Sequence, residues 1–271
     1  MHQGFFYFYQ ISGWESFVIR FSVLGSGSCG NSYVFSCCGY SLLVDAGYTL
    51  RKLQQRLQEA NFELSEVEAL LLTHLHPDHN GAAGTFARTT GRPVYVSQKA
   101  LRYAKVEYDK MALPPACKKA FEPGTSFELG PFCVNSFYTS HDSAGSVGFA
   151  ISCEGKKIVL ITDTGCYSEE MLLQAKDADL LFLEANYDVE LLRTGPYPIY
   201  LKKRIAGERG HLSNDQAYEF LRSCNFDNTH KPVYLVHISD SNNTVERVVS
   251  VMSAFNAQVC KRGYQYSGQL T

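Results

Sequence analysis

The chain lacks the cysteine spacing that builds a metal knuckle or a redox pair. Its nine cysteines (29, 37, 38, 117, 133, 153, 166, 224 and 260) include no C-x-x-C pair. Odd in number and scattered, they read as small buried hydrophobes in a reducing compartment rather than as a disulfide framework. Also missing is any apolar run approaching the ~18 residues of a membrane span. The aromatic start "GFFYFYQ" carries no basic flank of the signal-peptide kind. These absences lead us to expect a cytoplasmic protein that engages no membrane. Charge of one sign is scarce too: 25 Lys and Arg against 27 Asp and Glu leave a net −2. Any polyanion would therefore have to be met by a local patch.

What is present is a steady alternation of short strand-like and helical runs, with no linker, repeat or low-complexity tract. "FVIRFSVL", "YSLLVDA", "ALLLT", "KKIVLIT" and "PVYLVHI" read as strands, several too apolar for a half-exposed sheet. Helical periodicity covers residues 49–60, 80–89, 98–105, 168–175, 215–223 and 243–255. The expectation is an α/β fold of two sheets with helices packed outside. A chain of 271 residues can form one large domain of this kind. Residues 1–16 read as an N-terminal extension without a regular strand pattern, and residues 17–271 as a single domain.

Gly25-Ser-Gly-Ser-Cys-Gly30 satisfies G-x-G-x-x-G after a strand. Dinucleotide binding needs a helix to begin at the third glycine, so that its N-terminus holds the pyrophosphate. Here the chain continues as "NSYVFSCCGYSLLVDAG", which reads as a β-hairpin. The glycines instead suit a tight loop that passes close to another segment.

The stretch "LLLTHLHPDHNGAAG" differs in kind. Three of the eight histidines and one carboxylate fall within His74–His79, directly after a buried strand. Pro77 suits the first turn of a helix. A loop pinned between strand and helix can aim His74 and His76 at one point, while Asp78 and His79 serve a second. Imidazoles with carboxylates suit Zn²⁺, Mn²⁺ or Fe. Four residues cannot fill two sites, so further ligands should sit at other strand ends. His141 closes "CVNSFYTSH", Asp163 closes "KIVLITD" and His237 closes "PVYLVH".

The set HLHPDH, His141, Asp163 and His237, in that order, resembles the metallo-β-lactamase superfamily, over nearly the whole chain. The resemblance implies a four-layer αβ/βα sandwich, two mixed β-sheets flanked by helices, and a site for two divalent cations. By that analogy His74, His76 and His141 hold one cation, Asp78, His79 and His237 the other, and Asp163 bridges. "VDAG" resembles the superfamily's first motif, whose aspartate, here Asp45, supports the metal loop. Asp78 could also orient or deprotonate the nucleophile.

Several branches differ from this chain. The exported β-lactamases often carry a cysteine where Asp163 stands. The two-domain RNA-processing nucleases need more room than the 73 residues between Asp163 and His237. His211 precedes the capping box Ser213-Asn-Asp-Gln216, a rigid corner from which it could act as general acid. It resembles the non-ligand histidine of phosphodiesterase branches, and Glu184 resembles its acidic partner. "GSGSCGNS", "SHDSAGSVGF", "LEANYD", "GPYP", "LKKRI" and "GHLSN" resemble the YycJ (WalJ) family of single-domain 5′→3′ DNA exonucleases. The proline of HLHPDH and the aromatic extension depart from that pattern.

Charge distribution points the same way. Arg88–Lys119 carries eight Lys and Arg against two acids, and Arg193–Arg209 five against Glu208. Lys202, Lys203 and Arg204 are candidate phosphate binders, and Tyr197 and Tyr200 candidate stacking surfaces for an end base. The expectation is a dinuclear phosphodiesterase acting on nucleic acid, DNA in the first place. An RNA-directed nuclease and a thioester or small-ester hydrolase of the glyoxalase II type are the alternatives.

Overall fold

The computed structural model describes residues 17–227 and 229–271, so the extension at 1–16 lies outside the described residues. Strands β1 (Ile19–Gly25), β2 (Ser32–Cys37), β3 (Tyr40–Val44), β4 (Val67–Leu71), β5 (Val94–Ser97) and β6 (Lys118–Phe121) form most of one sheet. The second sheet comprises β7 (Ser126–Leu129), β8 (Phe132–Tyr138), β9 (Val147–Cys153), β10 (Lys156–Ile161), β11 (Leu180–Glu184), β12 (Val233–Val236) and β13 (Ala257–Val259). The last strand, β14 (Tyr266–Leu270), returns to the first sheet, beside β1. Both sheets are mixed. Hairpins join β1–β2–β3 and β8–β9–β10, and parallel pairing continues through β3–β4–β5–β6 and β10–β11–β12–β13.

The period-2 alternation of the strands explains the layering. Phe21, Val23, Tyr33, Phe35, Leu42 and Val44 face the second sheet, and Leu24, Val34 and Leu43 face the helices of their own side. Ile158, Leu160, Leu180 and Phe182 answer from the second sheet, while Val159, Ile161, Leu181 and Leu183 face the opposite helices. Phe182 is the hub of this central layer. Its ring lies 5.4–5.9 Å from those of Phe21, Tyr33, Phe35 and Tyr234. Truncating so buried a ring costs about 3–5 kcal/mol, so Phe182→Ala should lower stability by that amount in denaturant unfolding.

The first sheet is covered by α1 (Leu50–Glu59), α3 (Ala83–Thr90) and α4 (Gln98–Tyr103), with the four-residue α2 (Pro77–Asn80) and the exposed α5 (Lys105–Lys110) beside them. The second is covered by α6 (Glu169–Lys176), α9 (Asn214–Ser223) and α10 (Val245–Val251). Thr49, Ser97, Ser168, Ser213 and Thr244 cap five of these with their hydroxyls. Two short helices, α7 (Val189–Thr194) and α8 (Ile199–Ile205), lie in a segment without clear helical periodicity. They follow the functional edge, and α8 buries none of its residues. The segment expected as one helix from Asn80 is divided at Gly81, because α2 ends there and α3 starts at Ala83. No helix among the described residues is long and apolar enough to cross a membrane.

Candidate metal centre and its cleft

Six strands bring their C-terminal ends to one edge. Asp45 follows β3, the His74–His79 loop follows β4, and His141 comes shortly after β8; Asp163 follows β10, Glu184 ends β11 and His237 follows β12. Three of these residues take the left-handed backbone conformation that non-glycine residues avoid: Asp45 (φ 58°), Asp163 (φ 52°) and His237 (φ 57°). Such strain persists where surrounding contacts over-determine it, characteristically at functional sites.

The histidines gather into two groups. His76 Nδ1 lies 3.1 Å from His74 Nε2 and 3.2 Å from His141 Nε2. His79 Nε2 and His237 Nε2 each lie 3.6 Å from Asp78 Oδ2. Between the groups, the Asp163 carboxylate is 3.3 Å from His79 Nε2 and 3.6 Å from His141 Nε2. The structure brings His74, His76 and His141 together in one group and Asp78, His79 and His237 in another, while His74, His79 and Asp163 also converge between them.

Each imidazole is held by its other nitrogen, as metal-binding histidines require. His79 Nδ1 donates to Asp45 Oδ2 at 2.7 Å, and Asp45 also accepts from the Thr73 amide and hydroxyl, both at 2.8 Å. His141 Nδ1 donates to the Gly210 carbonyl at 2.9 Å, and His237 Nδ1 to Glu184 Oε1 at 2.9 Å. His76 Nε2 faces Asp142 at 3.4 Å, and His74 Nδ1 meets the Thr73 hydroxyl at 3.1 Å. His237 Nε2 is buried without a hydrogen-bond partner. A buried nitrogen with no hydrogen bond, 3.6 Å from the Asp78 carboxylate, fits a cation ligand, and so does the donor set of imidazoles and carboxylates.

Charge divides the groups. Burial, and then neighbouring histidines, lower His74 and His76; burial dominates at His141 and lowers it as well. His79 is also buried, but Asp163 and Asp45 outweigh desolvation and raise it well above its ordinary value. At His237 burial is likewise overcome by Asp163, Asp78 and Glu184, which raise it to about 10. Burial would raise Asp163 and Glu184, yet the facing imidazoles hold both below the usual carboxylate range.

His211 enters from the corner before α9. The expected capping box is formed: Gln216 N donates to Ser213 Oγ at 3.1 Å and Ser213 N to Gln216 Oε1 at 2.9 Å. His211 Nδ1 meets Glu184 Oε1 at 2.7 Å, while Glu184 Oε2 accepts from the amides of Thr164 (2.9 Å) and Leu212 (3.2 Å). Glu184 therefore holds His211 and His237 together.

His76, Asp78, His141, Asp163, His211 and His237 line a cleft of about 310 Å³, whose rim includes Tyr197, Arg204 and Asn242. Of the five proposed nucleic-acid contacts, Arg204 and Tyr197 reach this cleft. Arg204 Nε is bound to Asp142 Oδ2 at 2.5 Å, so it also positions a residue that touches His76. Lys202 Nζ turns back to the Arg193 carbonyl at 2.8 Å, and Tyr200 is exposed. Neither of them, nor Lys203, is among the cleft-lining residues.

Several supporting residues were missed in the sequence. Asp142 follows His141 directly, and that adjacency was its available signal. Asn31 explains the glycine loop: its amide nitrogen lies 2.9 Å from His79 Nε2, and its backbone N–H donates to Asp78 O at 2.8 Å. The loop is a hairpin connection, as expected, and what it passes is the metal loop. A Cβ on Gly47 would come within 1.7 Å of Asp78 O. From the hairpin loop between β1 and β2, Ser26 Oγ accepts from His237 N at 2.6 Å; from the loop after β11, Asn186 Nδ2 donates to the His237 carbonyl at 2.8 Å.

Comparison with known proteins accords with this architecture. Residues 40–238 match the family model described as "Beta-lactamase superfamily domain". The chain is 36% identical over 227 residues to exodeoxyribonuclease WalJ of Streptococcus pneumoniae, covering 84% of each protein. It is 36% identical over 228 residues to exodeoxyribonuclease YycJ of Bacillus anthracis, covering 84% of this chain and 85% of that one. The fold is shared with the metallo-β-lactamase fold protein YhfI of Bacillus subtilis, at a TM-score of 0.70 and 20% identity, over 93% of this chain and 100% of that one. Strand order, strand-end chemistry and these relationships agree: the chain belongs to the beta-lactamase superfamily, in the family of the WalJ and YycJ exodeoxyribonucleases.

Proposed function

We propose that this protein is a dinuclear metal-dependent phosphodiesterase that removes nucleotides from DNA in the 5′→3′ direction. The relatives named exodeoxyribonucleases support the substrate class. The observation that carries the phosphodiester chemistry is His211, held at 2.7 Å by the buried Glu184 and lining the same cleft as His76, Asp78, His141, Asp163 and His237.

In this reading His74, His76 and His141 would hold one divalent cation and Asp78, His79 and His237 the second, with the Asp163 carboxylate available to either group. Zn²⁺ and Mn²⁺ suit these donors, as does Fe. Bound cations supply charge that activates water at neutral pH and offsets the developing charge on phosphate. The chain's own groups do the rest. Glu184 accepts from His211 Nδ1–H and orients the ring, so that the doubly protonated imidazolium would give its Nε2 proton to the departing oxygen and keep the one on Nδ1. Asp78, at the cleft wall, orients the attacking water or takes its proton. Asp45 and Asp142 keep the imidazole rings in place. The nine free cysteines are consistent with a cytoplasmic home.

The test is cleavage of linear duplex DNA bearing a 5′-phosphate by Mn²⁺- and Zn²⁺-loaded protein, with EDTA and His76→Ala as controls. Cation-dependent release of nucleotides from the 5′ end is expected. Intact DNA with both metals would overturn the DNA-exonuclease reading; cleavage of RNA would then move the substrate to RNA, and intact RNA as well would overturn the nuclease reading.

A further inference from the structure

The two lysine- and arginine-rich segments are far apart in sequence, yet each sends one cation to a single groove beside the metal centre. Lys99, from the start of α4, and Arg209, from the loop before His211, both line a recess of about 360 Å³ that His141 separates from the central cleft. Arg209 donates through Nε and Nη2 to the His141 carbonyl, both at 3.3 Å. Its guanidinium is therefore fixed against the backbone of a residue in the histidine cluster, with N–H groups to spare. Lys99 Nζ sits 4.7 Å over the Tyr138 ring. Tyr138 and Tyr103 are 41% and 66% exposed, and both line the groove. No carboxylate lines it. The recess on the other side of the metal loop, by contrast, sets Glu107 among Arg88 and Lys110.

The groove is built by a close approach of the two halves. Gly145, at φ 75°, lies so near α4 that an added Cβ would come within 2.4 Å of Ala100 N. Ser97 Oγ donates to the Gly145 carbonyl at 2.7 Å and accepts from Ala100 N at 3.2 Å, tying the wall to the cap of α4. Fixed cations beside exposed aromatic rings, leading away from a phosphodiester centre, are what a flexible single strand requires. The cations meet phosphates, and the rings stack on bases of any sequence.

We propose that this groove holds the nucleotides adjoining the scissile phosphate as a single strand, with Arg209 and Lys99 on its phosphates and Tyr138 and Tyr103 stacked on its bases. The inference rests on the nuclease reading, and its test separates the two. Binding of fluorescent single-stranded DNA of two and of six nucleotides is measured over a range of salt, alongside cleavage of long DNA. Wild type should gain at least about five-fold in affinity from two to six nucleotides, the least that one base stacked on an aromatic ring contributes. Tyr138→Ala and Lys99→Ala should each remove most of that gain. Lys99→Ala should also flatten the salt slope by about one contact. Tyr138→Phe and Lys99→Arg should restore the gain, which a merely structural role for the side chains would not require. Lys261→Ala, outside the groove, serves as the surface control. If wild type cuts DNA but both alanine variants bind the longer strand as it does, the groove assignment is overturned alone. If wild type neither cuts nor binds nucleic acid, the function itself falls, and the groove with it.

Discussion

The two halves of the histidine centre are built from the same residue types but poised oppositely. In the His74–His76–His141 half, burial and mutual repulsion keep the rings neutral, with lone pairs ready to bind. In the Asp78–His79–His237 half, carboxylates hold protons on rings that are just as deeply buried. On the proposed assignment, a cation bound by the first half would displace no ring proton, whereas one bound by the second would have to expel them. If each half takes a cation as proposed, the two should load by different rules, because binding competes with protons only where carboxylates crowd the imidazoles.

The largest change should follow loss of the shared residue. Asp163→Ala removes the carboxylate that lies within 3.6 Å of both halves, and it should abolish turnover and deplete bound metal by elemental analysis. His211→Ala tests a group outside both halves. It should keep its metal and lose about 10²–10⁴-fold in kcat; an undiminished rate would return His211 to a structural role. Asp45→Asn and Asp142→Asn disturb one half each, through His79 and His76 respectively. Each should weaken metal affinity or activity by about 10–100-fold, with Asp45→Asn acting on the protonated half. The comparison itself is sharpened by calorimetric titration of metal into the cation-free protein at pH 7.5, in two buffers of different ionisation enthalpy. Filling the carboxylate-rich half should release on the order of two protons, and filling the other essentially none.

A smaller effect concerns stability without metal. His237 has a folded-state value raised to about 10, so its contribution is complete below ~6.5 and is lost as pH rises towards 10. Asp163 is depressed, so its share is complete above about 4 and is lost as pH falls further. The metal-free thermal midpoint should therefore fall between pH 6.5 and 10, less steeply in His237→Gln. A slope unchanged by that substitution would remove His237 as its cause.

The ligand-bearing edge was legible because its signal is concentrated. Three histidines and an aspartate crowd one loop, and His141, Asp163 and His237 each close an apolar run. Strand interiors were legible for the same reason, whereas edge strands such as β6 and β13, short and partly exposed, carried little pattern. The supporting residues were hidden by geometry. Asn31, Ser26, Asn186 and Asp142 are ordinary polar residues in loops, and their roles exist only once loops from both sheets meet at one edge. Helix α8 was read as a basic phosphate-binding run, but folding turns its residues in different directions. Arg204 faces the cleft and Asp142, while Lys202 caps the neighbouring segment.

The most direct test of the two-halved centre is metal stoichiometry per chain, measured by elemental analysis at neutral pH for wild type and for His237→Ala. Two cations are expected in wild type and one in the variant, the remaining one in the His74–His76–His141 half. A single cation in wild type, or unchanged stoichiometry in the variant, would contradict it.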